Sequence, residues 1–492
     1  MSLSNSEQQF LASGPETPLY GSTGTNPYAD GSDHGEIAIK HEITPNQEIA
    51  VVSRSSAPLV LTFFLQYLLS VISIYATGKL GPQELAAASL ALCSFNITGL
   101  SVYQGMATCL DSFCSQAYGA GKLSLVGIYF QRCSLMMLAL TVFPLLPMWW
   151  FSGPVLRLLV PDAELALMSQ SFLRTMILGA PALLLFETGK RFLQAQHLFN
   201  AGTYVLAVSV PVSFLLNWLL VWHPVYGLGF IGAPLATSIS YWVMCLLMLG
   251  YVVFIDGRQC WGGIDLNKAC SNWSQMLALA LPGVVMVEAE YLAFEVLTIL
   301  AASFGTPALA AQSIASNIGS LSFQLPFAVS VAVSTRVGHY VGQKHIDGAR
   351  VVTRVAMVFG CGISLLNFGW IFLGRNALVA IFTSDQDVIK IGVQVVTMVA
   401  INQLADAINV LQAGILRGQG RQKIGSTINL ISYYVIALPL AYVVAFPLGY
   451  GLVGLWFGLI VGVACLAVAE FVCVYVSNWP QIVVDAEGRH DH

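Results

Sequence analysis

Long runs of apolar residues constrain the fold of this chain more than any other feature of its sequence. Twelve such runs follow one another, and few charged residues lie inside them. About twenty apolar residues are enough for a helix to cross a bilayer, and a helix satisfies its backbone hydrogen bonds internally. We therefore predict an all-α membrane protein with twelve transmembrane helices. The runs lie near residues 56–78, 85–116, 123–149, 164–188, 201–222, 228–253, 273–303, 308–340, 347–373, 388–416, 424–446 and 451–476.

The composition argues against other classes of protein. Only 9% of the 492 residues are charged, whereas soluble domains contain about 25%. The net charge of −4 provides no basic surface for nucleic acid, and none of the ten cysteines forms the CxxC pair typical of metal sites. The HExxH and GxSxG motifs of hydrolases are also missing from the sequence. The sequence therefore predicts neither an enzyme nor a metal or cofactor site.

Lysine and arginine residues are distributed unevenly over the two predicted sides of the membrane. With a cytoplasmic N-terminus, twelve of them fall in or beside cytoplasmic loops, and only Lys79, Arg157 and Arg375 fall on the opposite side. Cytoplasmic loops carry such an excess, so both termini are predicted to be cytoplasmic. Residues 1–55, rich in Ser, Gly, Pro and Asn, are predicted to form a disordered cytoplasmic tail. Residues 478–492 are predicted to form a short C-terminal tail on the same side.

Short sequence matches recur at a separation of 222–224 residues. Residues 80–87 parallel residues 304–311, and the glycine pattern of residues 227–232 recurs at residues 449–454. Because each half has six helices, both halves cross the membrane in the same sense, with a central cleft suited to alternating access. A channel or a purely structural duplication also fits the repeat. The predicted units are an N-lobe (56–255), a cytoplasmic inter-lobe loop (256–272) and a C-lobe (273–477).

Four carboxylates fall well inside predicted spans, and all lie in the second half: Glu288, Glu290 and Glu295 on the seventh helix, and Asp406 on the tenth. Ionisable groups inside a membrane are costly and usually functional, so we predict that these acids bind protons or a cationic substrate. On a straight helix Glu288 and Glu295 share a face, and Glu290 points about 200° away from Glu288. Glu470, about two turns from the cytoplasmic end of the twelfth helix, is predicted to extend toward the interface.

Acidic and basic residues also meet at the predicted cytoplasmic ends of the second and fourth helices. Asp111 and Glu187 lie near Lys190 and Arg191, and we predict a salt bridge that closes a cytoplasmic gate, with Asp111, Glu187 and Arg191 as its members. The basic residues Arg417, Arg421 and Lys423 are interpreted as a topology signal, with an anion site as the alternative.

Several segments resemble the multidrug and toxic compound extrusion (MATE) family, in particular its eukaryotic branch. The resemblance covers about residues 50–477. It is carried by Gln66-Tyr67-Leu68-Leu69 and by residues 109–121, 191–196, 282–295, 309–320, 329–338 and 406–420.

The resemblance implies a cation-coupled antiporter for organic cations or hydrophobic metabolites. It assigns Glu290, Glu295 and Asp406 to the family's acidic motifs, whereas Glu288 is an additional acid. It also places five residues along the substrate cleft: Gln66, Asn96, Tyr291, Phe294 and Asn317.

We predict a proton-coupled exporter that works by alternating access, as a monomer, in the plasma membrane or the vacuolar membrane. A sodium-coupled exporter of the same fold and a lipid-type flippase are the alternatives. The predicted first span, residues 56–78, has no carboxylate. Some prokaryotic members of the family that the chain resembles use a first-helix carboxylate for coupling, so the resemblance implies chemistry in the C-lobe and, more weakly, protons over sodium. The mid-membrane acids disfavour a phosphate-binding flippase.

Overall fold

The computed structural model describes residues 43–159 and 162–490, and the regular structure in these ranges is helical. Eleven described helices are long and apolar enough to cross a membrane, and a further helix of 30 residues carries the three glutamates. The predicted fold, twelve helices in an all-α membrane protein, is confirmed. In chain order the helices are α1 Pro45–Gly78, α2 Pro82–Gly119, α3 Leu123–Trp150, α4 Ala163–Ala195, α5 Asn200–Trp222, α6 Gly229–Phe254, α7 Trp273–Ala302, α8 Thr306–Gly342, α9 Ile346–Phe382, α10 Gln386–Gln419, α11 Gln422–Ala445 and α12 Gly451–Tyr475.

The helices pack into two lobes. Buried residues of α1–α6, among them Leu110 and Phe186, form the core of the N-lobe. Leu297 and Trp456 belong to a separate core within α7–α12, the C-lobe. The first turns of α7 pack against the N-lobe core through Met276, so this helix connects both lobes.

The start of α1 differs from the prediction. Residues 1–42 of the predicted disordered tail lie outside the described residues, whereas α1 begins at Pro45, eleven residues before the predicted span. A proline suits the first helical position because its missing N–H is not needed there. The polar composition of residues 45–55 suggested a tail, but Val52 is fully buried and packs with C-lobe residues such as Val333.

The predicted C-terminal tail contains a short helix, α13 (Trp479–His490). Trp479, Ile482 and Ala486 are buried in a cluster with C-lobe residues. The other end of α13 reaches the N-lobe, where the hydroxyl group of Tyr129 lies 2.9 Å from Nδ1 of His490. This helix therefore touches both lobes.

The predicted inter-lobe loop packs against α3. The side-chain amide of Gln131 donates to the carbonyl oxygen of Gly263 at 2.8 Å, and Arg132 donates to the carbonyl oxygen of Lys268 at 3.1 Å. Cys260 is buried in this contact, and its burial raises the pKa of the thiol to about 12. The loop is thereby fixed to the N-lobe before the chain enters α7.

Four of the long helices contain a π-helical turn, at residues 96–100, 141–145, 218–222 and 431–437. π-Helical turns are rare in proteins, but those that do occur are often found at functional sites. Two of them, 96–100 in α2 and 431–437 in α11, lie beside the central cavity and the buried acids described below.

Candidate functional site

The two lobes are in close backbone contact at the end of the bundle that is predicted to face the cytoplasm. A Cβ atom built on Gly119 of α2 would lie 2.2 Å from the backbone oxygen of His339 in α8. A Cβ atom on Gly342 would lie 2.1 Å from the backbone oxygen of Gln116. Any side chain at these glycines would push the helices apart. We name this contact the inner seam (residues 111–119, 334–342 and 417–422).

A buried ion cluster lies in the inner seam. An Nη1 of Arg191 is 3.0 Å from Oδ1 of Asp111, and Nε of Arg417 is 3.6 Å from Oδ2 of the same carboxylate. Asp111 and Arg191 belong to the N-lobe, whereas Arg417 belongs to the C-lobe. The cluster therefore joins the lobes, as a closed gate would. Asp111 and Arg191 were predicted at this gate, but Arg417 was interpreted only as a topology signal.

Hydrogen bonds reinforce the inner seam beside the ion cluster. The Ser112 hydroxyl donates to the carbonyl oxygen of Arg417 at 2.5 Å, and Gln116 donates to the carbonyl oxygen of Gly418 at 2.8 Å. Gln422 donates to the Ser112 hydroxyl at 2.8 Å. Each such bond contributes about 1 kcal/mol net, so opening this end requires several bonds to break together.

An aromatic contact completes the seam. The ring of His339 stacks on Tyr118 with 5.1 Å between centroids, and it meets His197 of the N-lobe edge-on at 4.2 Å. Burial, assisted by the charge of Arg336, lowers the pKa of His197 to about 3. His197 is therefore neutral at physiological pH and adds no further positive charge to the seam.

A cavity of about 520 Å³ lies between the lobes next to the inner seam, and Arg191 and Arg417 form part of its wall. Its volume is within the range of small-molecule sites. The wall is built by α1, α2, α4 and α6 of the N-lobe and by α7, α8, α10 and α11 of the C-lobe. Six predicted site residues line it: Gln66, Asn96, Arg191, Glu290, Tyr291 and Asn317.

The cavity wall combines aromatic rings with polar side chains. Phe63 of α1 meets Phe327 of α8 edge-on, with 4.9 Å between the ring centroids, and both line the cavity. Tyr67 and Tyr291 add further aromatic surface. Polar groups include Asn409 and the amide and hydroxyl side chains of α2 and α8. Such a wall suits an amphipathic ligand, and aromatic faces bind organic cations in particular.

Glu290 and Asp406 form the acidic part of the site. Glu290 of α7 lies on the cavity wall, and Asp406 is buried on α10, where its charge acts on Glu290. Within residues 43–159 and 162–490, no lysine or arginine forms a salt bridge with either of them. Two such acids can share protons or attract a cation.

Glu288 and Glu295 face α2 instead of the cavity. Glu288 accepts a hydrogen bond from the Ser101 hydroxyl, and Glu295 accepts one from the thiol of Cys93 at 3.4 Å. The predicted helical geometry is therefore confirmed, because Glu288 and Glu295 share one face of α7 while Glu290 points elsewhere. The coupling role predicted for Glu288 and Glu295 stays a prediction.

Glu187 belongs to a polar network inside the N-lobe. Its Oε1 lies 3.0 Å from Nζ of Lys190 and accepts a hydrogen bond from Gln66 at 2.8 Å. Lys190 in turn donates to the side-chain amide oxygen (Oε1) of Gln66 at 2.8 Å. Glu187 thus links α1 to α4 within the N-lobe. In the described contacts, the salt bridge predicted for the gate is formed by Asp111 and Arg191 and does not include Glu187.

Two positions differ from what the sequence suggested. Phe294, predicted for the cleft, packs edge-on against Trp456 in the C-lobe core, with ring centroids 6.0 Å apart. Glu470 does not extend to the interface but is fully buried on α12. The sequence marked Glu470 as unusual, because it is a single acid in an otherwise apolar helix. The sequence did not show that residues of neighbouring helices bury it.

The fold and the cavity together define a class: a two-lobed helical membrane transporter with its ligand cavity between the lobes. The MatE family model matches residues 58–219 and again residues 282–443, so each lobe matches the same model and the two matches start 224 residues apart. The chain belongs to the MatE family of multidrug and toxic compound extrusion transporters.

Individual relatives agree with this assignment. An uncharacterized transporter of Saccharomyces cerevisiae is 39% identical over 93% of the chain, and the matched region spans 65% of that protein's length. Multidrug and toxin extrusion protein 1 of Homo sapiens is 31% identical over 90% of the chain and 77% of its own length. The crystal structure of the eukaryotic MATE transporter AtDTX14 has a TM-score of 0.84 and 27% identity, covering 90% of the chain and 99% of AtDTX14.

The family and these relatives are transporters, not enzymes, and the chain is a multi-pass integral membrane protein.

Proposed function

We propose that the chain is a proton-coupled antiporter that exports organic cations or amphipathic metabolites. The observation that carries the proposal is a pair of interacting acids, Glu290 on the cavity wall and Asp406 buried on α10, neither of which is salt-bridged to a lysine or arginine in the described part of the chain. A proton and a cationic substrate compete for the same negative charge. Loading one therefore releases the other, which is the requirement for exchange.

The aromatic wall supports the substrate class. Phe63, Phe327 and Tyr291 offer apolar faces beside the acidic pair, so a ligand with a cationic group and an apolar body can use both. The names of the mammalian relatives, multidrug and toxin extrusion proteins, agree with such substrates.

We also propose the orientation. The basic residues of the inner seam and the ends of α1 and α13 lie at one end of the bundle, which the distribution of lysine and arginine assigns to the cytoplasm. In this orientation the lobes are joined at the cytoplasmic end. The cavity then opens to the other side of the membrane, which is either the cell exterior or the interior of a vacuole.

The test uses purified protein in liposomes with an imposed pH gradient and a fluorescent organic cation. We expect uptake driven by an acidic lumen in the wild type, and loss of that uptake in Glu290→Gln and in Asp406→Asn. Glu164→Gln, which removes an exposed carboxylate at the start of α4, is the matched control and should transport normally.

Two results would contradict the proposal. Full pH-driven transport in both Glu290→Gln and Asp406→Asn would show that the acidic pair does not couple transport. Uptake that does not depend on the pH gradient but does depend on a sodium gradient would show that sodium is the coupling ion. The proposed export by alternating access would then stand, and the proposed proton coupling would fail.

A further inference from the structure

Glu288 is an acid of α7 that stands outside the family's acidic motifs and does not line the cavity. It lies where the two lobes meet, and its Oε1 contacts the hydroxyl group of Ser101 on α2. Its second oxygen, Oε2, is buried and has no hydrogen-bond partner among the described residues. The contact with Ser101 therefore determines what this carboxyl group does.

Two acceptors compete for the hydrogen of the Ser101 hydroxyl. One is the Glu288 carboxyl group, and the other is the carbonyl oxygen of Ile97, one turn earlier on α2 and 2.6 Å from the hydroxyl oxygen. A serine hydroxyl has one hydrogen to donate, and a carbonyl oxygen can only accept. Both contacts can be hydrogen bonds at the same time if Glu288 supplies a hydrogen of its own, which requires its carboxyl group to be protonated.

The surroundings of Glu288 suit a neutral acid. The helices α2, α3, α8, α11 and α12 pack on α7, but no lysine or arginine of the described residues forms a salt bridge with Glu288. The titratable groups that face it are Tyr291 on α7 and Tyr434 on α11. Glu295 follows on the same face of α7, about 10 Å further along the axis. An ionised carboxylate with a buried, unpaired oxygen and no cation is much more costly here than a neutral carboxylic acid.

The Glu288–Ser101 contact ties the π-helical turn of α2 to α7. Ser101 directly follows this turn, residues 96–100, and Ile97 lies within it. Asn96, at the start of the turn, lines the cavity, as does Ser101. The hydrogen bond to the Ile97 carbonyl oxygen thus belongs to the turn that positions these two polar side chains.

We propose that Glu288 is a positioning residue that works as a protonated acid: it donates its hydrogen to the Ser101 hydroxyl and so fixes the cavity-lining turn of α2 to α7. Ser101 then keeps its own hydrogen on the Ile97 carbonyl oxygen. When Glu288 loses its proton, the carboxylate draws the Ser101 hydrogen away and the Ile97 carbonyl oxygen is released. This role uses the hydrogen of Glu288 and not its charge, so it goes beyond the proposed function and does not depend on the coupling ion.

Three substitutions separate a hydrogen-bond donor from a charge. The amide of Glu288→Gln is neutral and still donates to Ser101, so we expect initial uptake in liposomes within about twofold of the wild type. Glu288→Leu and Ser101→Ala each remove the bond, and each should lower uptake by about fivefold, the effect of one hydrogen bond. Combining these two substitutions should lower uptake no further, because both act on the same contact. Ser94→Ala is the matched control, since its hydroxyl donates to the carbonyl oxygen of Leu90 on the same helix.

The pH dependence of thermal stability tests the proton itself. A glutamic acid in water is ionised above about pH 5, so unfolding releases the proton that Glu288 holds in the folded protein. The folded state then binds one proton more than the unfolded state, and stability falls as the pH rises. We expect the melting temperature of the wild type to fall relative to that of Glu288→Gln between about pH 5 and about pH 8. Glu164→Gln should show no such trend, because Glu164 is exposed in the folded protein as it is in the unfolded chain.

Three outcomes would overturn the inference. Loss of uptake in Glu288→Gln would assign a charged role to Glu288, and wild-type uptake in both Glu288→Leu and Ser101→Ala would remove the role of the hydrogen bond. A constant difference in melting temperature over this pH range would show that Glu288 is ionised. Uptake is driven by whichever gradient drives the wild type. If that gradient is sodium, the proposed proton coupling fails, while the comparison of the Glu288 and Ser101 variants still decides the role of Glu288.

Discussion

Single glycines determine how closely the two lobes can pack. Gly105 of α2 and Gly283 of α7 face each other, and a Cβ atom on Gly283 would lie 2.5 Å from the backbone oxygen of Gly105 and 2.2 Å from the Thr108 hydroxyl. Backbone atoms cannot turn away as a flexible side chain does. Both residues lie inside helices and have ordinary helical conformations. Glycine is therefore required here because it has no side chain, and not because of its backbone freedom.

Gly283→Ala should lower the thermal stability of the detergent-purified protein. The added methyl group forces α2 and α7 apart, and overpacking of this kind costs about 1–3 kcal/mol. Gly362→Ala is the control, because a Cβ atom there meets no other atom within 4 Å. It should leave the melting temperature unchanged or raise it slightly. Equal melting temperatures for both variants would contradict the close contact seen here.

The placement of individual charges shows how far the sequence alone leads. Helical periodicity correctly predicted that Glu288 and Glu295 share a face and that Glu290 points elsewhere, since this depends only on positions within one helix. The partners of Asp111 were predicted in part. Arg191 lies on a helix end that the topology already placed nearby, whereas Arg417 comes from the other lobe, and only tertiary packing brings it to Asp111.

At the level of elements, the first turns of α1 were missed because their sequence is polar. They are held in place by a buried contact that lies far away in sequence, between the Glu48 carboxylate and the guanidinium group of Arg336, with a further hydrogen bond from the Tyr340 hydroxyl. A local pattern cannot reveal such a pair. The long apolar helices were found because length and hydropathy are sufficient for them.

Glu48→Gln should destabilise the protein and loosen the first turns of α1. The substitution removes a buried carboxylate from Arg336, and breaking a buried ion pair on one side costs about 3–5 kcal/mol. The melting temperature should fall, and a protease should cleave near residues 45–55 more rapidly than in the wild type. Asp347→Asn, which removes an exposed partner of Arg350, should change neither. Unchanged proteolysis in Glu48→Gln would show that this pair does not hold the segment.

At the scale of the whole molecule, the two lobes differ in whether their buried acids form salt bridges. In the N-lobe, Asp111 and Glu187 each contact a basic side chain. In the C-lobe, Glu290 and Asp406 form no salt bridge within the described residues. Two halves that match the same family model thus differ in charge pairing: these N-lobe acids are salt-bridged, whereas the Glu290 and Asp406 carboxylates of the C-lobe are not, within the described residues.

A thiol-labelling experiment can check on which side the cavity is accessible. A cysteine at Asn317, on the cavity wall, should react with a membrane-impermeant maleimide added to the non-cytoplasmic side, whereas a cysteine at Ser334, fully buried in the inner seam, should not. The background protein has its exposed cysteines, Cys270, Cys361 and Cys465, replaced by serine. Labelling of Asn317→Cys only from the cytoplasmic side would contradict the proposed orientation of the closed seam.

The helix α13 adds a constraint on the speed of the cycle. Arg489 donates to the side-chain oxygen of Gln116 at 3.0 Å in one half and to the carbonyl oxygen of Gln419 at 3.4 Å in the other. Any motion that parts the two halves at this end must detach the chain terminus from at least one of them. We therefore expect substitutions within α13, or a protein fused after it, to change the rate at which the two halves separate, although no residue of α13 lines the cavity.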